Sequence, residues 1–332
     1  MRELRPTASR QYIDAVSVFE AHEEALAEAA KVRGGMYWHK GPASAPDRQY
    51  LVRTSAGGGE KSLGPRSSET ELIFERFQDR RRRSNERLAG LGAALIDQQR
   101  MNRALRVGRV DPVVVAILGK LAASALAEHF RVVGTHALYA YEAAAGVVVD
   151  NDAVATRDID LLWDVRRRIR FTTVLAGLNS SMLGVLQQVD PTFRIRKAQR
   201  YTAVNKDGFE VDILRREQRE GDPHPVRLSA DEDDFRVVQA RNAHLLQDSE
   251  SFSAVVVASS GAMARMNTLH PLDFAEFKRW MGEQPDREAL KRRRDVLQAD
   301  VVEELVGTRL PHLLRKAANI AELRPPDQRQ PS

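Results

Sequence analysis

Residues 156–164, TRDIDLLWD, place two carboxylates inside a segment that is otherwise typical of a buried strand. Asp158 and Asp160 alternate with apolar, β-compatible neighbours. Residues two apart in a strand lie on the same face, about 6.5 Å apart along the chain. Two like charges on one face repel each other unless a cation lies between them. The pattern therefore raises the question of which cation lies between these two carboxylates.

The composition is that of an ordinary globular chain, and it excludes several classes of function. The chain has 332 residues, of which 42% are hydrophobic, so a sizeable core and two domains are expected. The absence of cysteine excludes disulfides, thiolate catalysis and cysteine-based zinc sites. No apolar run approaches the ~18 residues of a membrane span, and the first residues lack the apolar region of a secretory signal. We therefore expect a cytoplasmic protein that makes no use of a membrane.

The charge balance permits a nucleic-acid partner without requiring one. The formal net charge is +5, from 51 basic and 46 acidic residues. Arginine and lysine cluster at 80–83, 166–170 and 291–294. Each cluster is consistent with a solvated helix face, and each is also consistent with a partner that carries phosphates.

The pattern along the chain predicts four segments. The N-terminal part (1–108) contains a helix, a small β-hairpin module (36–64) and a long polar helix. It is followed by a core (109–230), a C-terminal part with a strand and helices (231–324) and a disordered tail (325–332). Asp111 is expected to cap a helix that begins at Pro112. Asp207-Gly208 predicts a hairpin turn between two strands. Residues 263–269, MARMNTL, are compatible with an ordinary helix.

Three pieces of chemistry follow one another in the core. A strand ends at Gly134 and Thr135, where a helix begins, and such a turn favours the close approach of an anion. The Asp-x-Asp strand comes next, and a later strand carries Asp212 on the same face as Glu210. If these strands are neighbours, three carboxylates converge. A hard divalent ion such as Mg²⁺ would then balance their negative charges. Each piece alone has an ordinary structural explanation: a capped turn, a charge pair on an edge strand, and a solvent-facing strand residue.

Three stretches together carry a family resemblance: VVGTHALYAYEAAAG (132–146), TRDIDLLWD (156–164) and GFEVDIL (208–214). They resemble the signature of the DNA polymerase β-type nucleotidyltransferase superfamily, in which a Gly-Gly or Gly-Ser(/Thr) turn precedes Asp-x-Asp and a third Asp. The form VVGTHAL…TRDIDLL is similar to its bacterial branch of AbiEii and MenT type. An aromatic hairpin module before the core resembles a bacterial group of predicted nucleotidyltransferases. The resemblance covers about residues 111–282.

The resemblance implies an α/β fold with a mixed, mostly antiparallel sheet, flanking helices and a helical C-terminal domain. It implies an enzyme that moves a nucleoside monophosphate from an NTP to a hydroxyl and releases pyrophosphate. Two Mg²⁺ ions, with Mn²⁺ as the alternative, are the implied cofactors. Asp158, Asp160 and Asp212 match the catalytic, metal-binding carboxylates, and Gly134 and Thr135 match the turn that holds the NTP phosphates.

Further site candidates lie near the C-terminal helix. HPLDFAEFKRW (270–280) resembles a helix that packs beside the nucleotide, with Asp273 and Lys278 as the matching residues. Arg265 precedes this helix and is a candidate contact for the triphosphate. His136 is either a helix-terminal histidine or a phosphate contact. An inserted segment predicted as a loop, VVVDNDAVA (147–155), separates the turn from the Asp-x-Asp strand by more than in minimal members.

The acceptor of the nucleotide is left open by the sequence. Basic helices and family analogy favour an RNA 3′ end, tRNA first, and a protein side chain (AMPylation) is the second alternative. The third is a catalytically silent protein that binds nucleic acid or acts in a toxin–antitoxin pair. Retention of all three aspartates argues against the silent protein. Aromatic residues of MYWHK (36–40), with Tyr50, are expected either to stack on bases or to form the core of a small sheet.

Overall fold

A computed structural model describes residues 1–41, 47–55, 57–154, 156–217, 227–229, 231–240, 246 and 248–314. The chain forms two compact units. We call Pro6–Val107 the helical unit, and Met1–Arg5 together with Gly108–Ser332 the core unit.

The described residues form helices and strands in both units. The helices are α1 (Pro6–Lys31), α2 (Ser68–Leu105), α3 (Pro112–Ala123), α4 (Leu138–Ala145), α5 (Asn151–Val154), α6 (Arg168–Gly177), α7 (Met182–Gln187), α8 (Pro271–Glu283) and α9 (Ala289–Arg309). The strands are β1 (Arg2–Glu3), β2 (Met36–Lys40), β3 (Gln49–Thr54), β4 (Glu60–Pro65), β5 (Phe130–Val132), β6 (Val147–Val148), β7 (Asp158–Trp163), β8 (Arg194–Ile195), β9 (Thr202–Val204), β10 (Glu210–Arg215), β11 (Val238–Gln239), β12 (Ser251–Val257) and β13 (Met263–Leu269). Within these ranges, no helix combines the length and the apolar character that crossing a bilayer requires.

The helical unit contains the two long helices and a small sheet. α2 begins with a capping box, in which the Ser67 hydroxyl accepts from the Thr70 amide and the Thr70 hydroxyl accepts from the Ser67 amide. The predicted hairpin module is a three-stranded antiparallel sheet, β2-β3-β4, because residues 60–65 pair with β3 on the side opposite β2. Met36, Leu51 and Phe77 form the buried cluster between sheet and helix.

The core unit is built on a mixed sheet in the order β12-β13-β5-β7-β10-β9-β8, with β11 paired to β10. Among the described residues, four of its strand pairings are antiparallel and three are parallel. The predicted α/β fold with a mixed, mostly antiparallel sheet is therefore confirmed. The Asp207-Gly208 turn joins β9 to β10 as predicted, with Gly208 at a φ of 76°.

β7 and β10 bury one face and leave acidic residues on the other. Ile159, Leu161, Val211 and Ile213 are completely buried in the main core cluster. Alternation with period two therefore puts the intervening carboxylates on the opposite face. α3 packs on β13 and starts as predicted, with the Asp111 carboxylate accepting from an amide of its first turn.

Two local expectations are corrected by the structure. MARMNTL is strand β13 and not a helix, since it pairs along its whole length with β12 and buries Ala264 and Met266 on one side. The insertion at 147–155 is not a plain loop: it contains β6, which pairs with β1, and the short helix α5. The helical C-terminal region is present as α8 and α9, whereas the predicted tail lies outside the described residues.

Candidate active site

The three aspartates singled out in the sequence lie on one face of two neighbouring strands. β7 and β10 run parallel, with Asp160 directly opposite Asp212 and Asp158 directly opposite Glu210. Paired residues on adjacent strands project to the same face, so four acidic side chains share a small area. Such a cluster is unfavourable unless protons, hydrogen bonds or cations balance it.

The Gly134 turn lies against this cluster. The Val133 amide donates to the Asp160 carbonyl over 2.9 Å, which ties the end of β5 to β7. Gly134 has a φ of 72° and a ψ of −162°, a backbone region that is essentially restricted to glycine. A Cβ at this position would lie 3.0 Å from Cγ of Asp160 and closer still to its Oδ2. Glycine is therefore required both by the backbone conformation and by the carboxylate beside it.

Thr135 is held in place from the C-terminal helices. It begins a short 3₁₀ turn, Thr135–Ala137, that leads into α4, and its side chain is buried. The Gln298 amide group of α9 donates to the Thr135 hydroxyl over 3.1 Å and to the Ala153 carbonyl over 2.6 Å. The turn is thus fixed between the sheet and α9.

Hydroxyl groups orient two of the carboxylates. The Thr202 hydroxyl of β9 donates to Asp212 over 2.6 Å, and the Thr156 hydroxyl donates to Asp158. His136 is buried and its Nδ1 donates to the Asp158 carbonyl over 2.9 Å, and burial lowers the pKa of its imidazole. A neutral, backbone-bound His136 supports the strand, which favours its structural interpretation over a phosphate contact.

The carboxylates repel one another in the absence of a cation. Burial, followed by the charges of Asp158 and Asp212, raises the pKa of Asp160 to about 7. Lys278 and Arg287 oppose this rise. Burial also raises the pKa of Asp212, against the hydrogen bond from Thr202. Asp160 therefore needs either a proton or a cation near neutral pH.

The donor set fits Mg²⁺ that arrives with a nucleotide. In the described part of the chain, no three acidic or histidine side chains are placed to hold an ion by themselves. Mg²⁺ is usually bound through one or two carboxylates together with substrate phosphates and water, so such a set is not needed. Asp158 and Asp160 offer oxygen ligands only, and both line the same cavity as Gly134. These residues fit the ion that the sequence predicts.

A cavity of about 420 Å³ opens in front of the turn. Gly134, Thr135, Asp158 and Asp160 form its acidic and backbone end. Basic side chains from α8, α9 and the loop between them line another part of it: Lys278, Arg287, Lys291 and Arg294. A volume of this size is typical of small-molecule sites, and the charges suit a metal-bound polyphosphate.

Of the other predicted site residues, only some lie in the cavity. Lys278 lies in the cavity. Asp273 is buried in the first turn of α8, and Arg265 lies in β13 opposite Val255; within the described ranges, neither lines the cavity. Asp212 is on the carboxylate face and acts on Asp160 electrostatically, but it too is not among the described cavity-lining residues.

Asp295 is a site residue that the sequence did not indicate. Its carboxylate accepts from Lys278 Nζ over 2.8 Å and from Arg287 Nε over 2.5 Å, and only 1% of its side chain is exposed. Burial lowers the pKa of the Lys278 ammonium, and Asp295 and Asp160 oppose that shift. Asp295 follows an arginine run in α9, KRRRDVL. A single acidic residue after this run was the only local sequence signal that could have indicated its role.

Comparison with known proteins gives one match. A family model described as nucleotidyltransferase matches residues 113–322, more than half of the chain. No curated protein and no solved structure gives a significant match. The matched range contains the Gly134 turn, the three aspartates and both C-terminal helices.

Proposed function

The chain belongs to the nucleotidyltransferase family, and we propose from that premise that it uses Mg²⁺ to transfer a nucleoside monophosphate from an NTP to a hydroxyl acceptor. The observation that carries this proposal is the register of Asp160 opposite Asp212, with Gly134 packed on Asp160 at the mouth of a basic cavity. We include in this proposal the similarity to members of AbiEii and MenT type. We also include a cytoplasmic location, where NTPs and RNA are both available.

Asp158 and Asp160 would hold the ion, with Asp212 as the third carboxylate. When bound, Mg²⁺ neutralises phosphate charge and stabilises the attacking and leaving oxygens. Gly134 and Thr135 line the same cavity as the basic side chains, so their backbone faces the space in which the triphosphate would lie.

The positive charges of the cavity act on the triphosphate. Lys278 and Arg287 are fixed by Asp295, so they offer charge at set positions and need little reorganisation. In the reaction, the acceptor oxygen forms a bond to the α-phosphorus, the bond to the α–β bridging oxygen breaks, and pyrophosphate leaves. Asp212 takes the proton of the acceptor hydroxyl.

An RNA 3′ end is the acceptor that the charge distribution favours. Residues 194–200, RIRKAQR, contain four basic residues and no acidic one. They lead directly into β9, whose Thr202 binds Asp212. Arg194 and Lys197 are exposed in this segment. A basic strand edge next to the third carboxylate suits a polyanion that brings its terminal hydroxyl to Asp212.

A labelling assay tests this proposal. Purified protein is incubated with each α-³²P-labelled NTP, Mg²⁺ and either total RNA or RNA-free lysate protein. We expect label in RNA with wild type and none with Asp160→Asn. The matched control is Asp207→Asn, which removes a carboxylate in the nearby hairpin turn where asparagine is equally suited. Label in protein alone would favour AMPylation, and no label in either fraction would contradict the proposal.

A further inference from the structure

One wall of the cavity is apolar and has no part in the phosphate chemistry. α8 contributes Phe277, Trp280 and Met281, and Leu214 of β10 and Leu246 also line the cavity. The rings of Phe277 and Trp280 lie 6.0 Å apart at an interplanar angle of 27°, as a stacked pair. Both side chains are only partly buried. The cavity therefore combines a carboxylate end, a basic side and a flat aromatic surface.

The position of the aromatic pair follows from the helix. Phe277, Trp280 and Met281 are spaced i, i+3, i+4 and form one stripe of α8. Phe274 and Ala275, by contrast, are fully buried in the core cluster that α8 shares with α9. Lys278 follows Phe277 directly and reaches towards Asp295. Phe277 also packs against that core cluster, so the aromatic stripe lies where the core meets the cavity.

We infer that the nucleobase of the NTP stacks on the Phe277–Trp280 pair while its triphosphate lies between Asp160 and the basic side chains. This inference rests on the proposed function and adds to it the surface that binds the base. Aromatic side chains bind bases through their π faces, and such stacking tolerates every base. The pair therefore provides a surface for the base without selecting one base over another.

Tryptophan fluorescence reports on this contact. The chain has three tryptophans: Trp38 belongs to the sheet of the helical unit, Trp163 is completely buried in the core, and Trp280 lines the cavity. Titration with Mg²⁺-ATP should quench the emission of Trp280, whereas Mg²⁺-tripolyphosphate, which has no base, should not. The same titration on Trp38→Phe should reproduce the wild-type quenching.

Affinities for the two ligands separate stacking from phosphate binding. Trp280→Ala should weaken Mg²⁺-ATP binding by about 5- to 150-fold, the loss typical of one base–aromatic stack. Its affinity for Mg²⁺-tripolyphosphate should stay within about twofold of wild type, measured by calorimetry. Trp280→Phe, which keeps an aromatic face, should lose less ATP affinity than Trp280→Ala.

The outcomes distinguish this inference from the proposed function. An equal loss of ATP and tripolyphosphate affinity in Trp280→Ala would show a merely structural role and overturn the inference. ATP binding without quenching in wild type would overturn it as well, and this readout needs no mutation. If wild type binds neither ligand, the proposed function itself fails.

Discussion

Gly134 and Asp160 lie so close together that no side chain fits between them. A Cβ at Gly134 would come within 3.0 Å of Cγ of Asp160, and the positive φ of 72° already restricts this position to glycine. The contact fixes the distance between a backbone turn and a carboxylate that comes from a different strand. It therefore connects the phosphate-binding part of the proposed site with its metal-binding part.

Gly134→Ala should abolish most of the activity. The new methyl group would displace Asp160 or the turn, and a displacement of about 1 Å costs on the order of 10²-fold in rate. Backbone strain should also lower the free energy of unfolding by about 1–3 kcal/mol. The matched control is Gly146→Ala, which also has a positive φ (66°) but no atom within 4 Å of its Cβ. Equal activity in the two variants would contradict the role of this contact.

Asp160→Asn should leave the metal-free protein at least as stable as wild type at pH 8. The carboxylate is raised in energy by burial and by two neighbouring aspartates, so a neutral side chain relieves repulsion. The variant should, however, lose the thermal shift that Mg²⁺-NTP gives by binding the native state. Melting curves with and without Mg²⁺-ATP measure both effects. A wild-type shift that survives in the variant would place the ion elsewhere.

The stability of the metal-free protein should depend on pH through Asp160. Its folded pKa of about 7 lies above the ordinary 3.8, so the folded state holds the proton more tightly. The resulting stabilisation is complete below about pH 4 and is lost as pH rises to about 7. The melting temperature of Asp160→Asn minus that of wild type, measured in EDTA, should therefore grow over this interval. A constant difference from pH 4 to 8 would refute the raised pKa.

Asp295→Asn should destabilise the protein and weaken nucleotide binding. It would leave the Lys278 and Arg287 cations partly buried beside each other, and breaking a buried pair costs about 3 kcal/mol or more. Denaturant unfolding and the KM for NTP measure the two effects. The control is Asp300→Asn, whose partner Arg279 is 41% exposed, and such surface pairs contribute about 1 kcal/mol or less. Similar losses in both variants would deny Asp295 a special role.

Local patterns predicted the elements that carry the proposed site. The alternation of TRDIDLLWD and GFEVDIL was sufficient for β7, β10 and the same-face placement of the carboxylates within each strand, because strand periodicity is a local property. That the two strands are neighbours was a condition that only the structure shows to be met. The capping signal at Asp111 and the Asp207-Gly208 turn were sufficient for the same reason.

Features that depend on contacts distant in sequence were not predicted. β1 and β6 are two-residue strands from separate parts of the chain, and such short pairs have no periodicity to detect. MARMNTL has mixed propensity, and only its pairing with β12 makes it a strand. In that strand Arg265 lies opposite Val255 and is not among the described cavity-lining residues, although the sequence suggested a triphosphate contact. Asp295 was missed because its function is to bind Lys278, and sequence spacing does not reveal that contact.

The most direct test compares the position of the label in the nucleotide. Wild type is incubated with Mg²⁺ and RNA and with ATP labelled at either the α- or the γ-phosphate. The account predicts that the α label enters RNA and that the γ label appears in pyrophosphate in equal amount. Asp160→Asn should give neither labelled RNA nor labelled pyrophosphate. Transfer of the γ label, or transfer of the α label by Asp160→Asn at the wild-type rate, would contradict it.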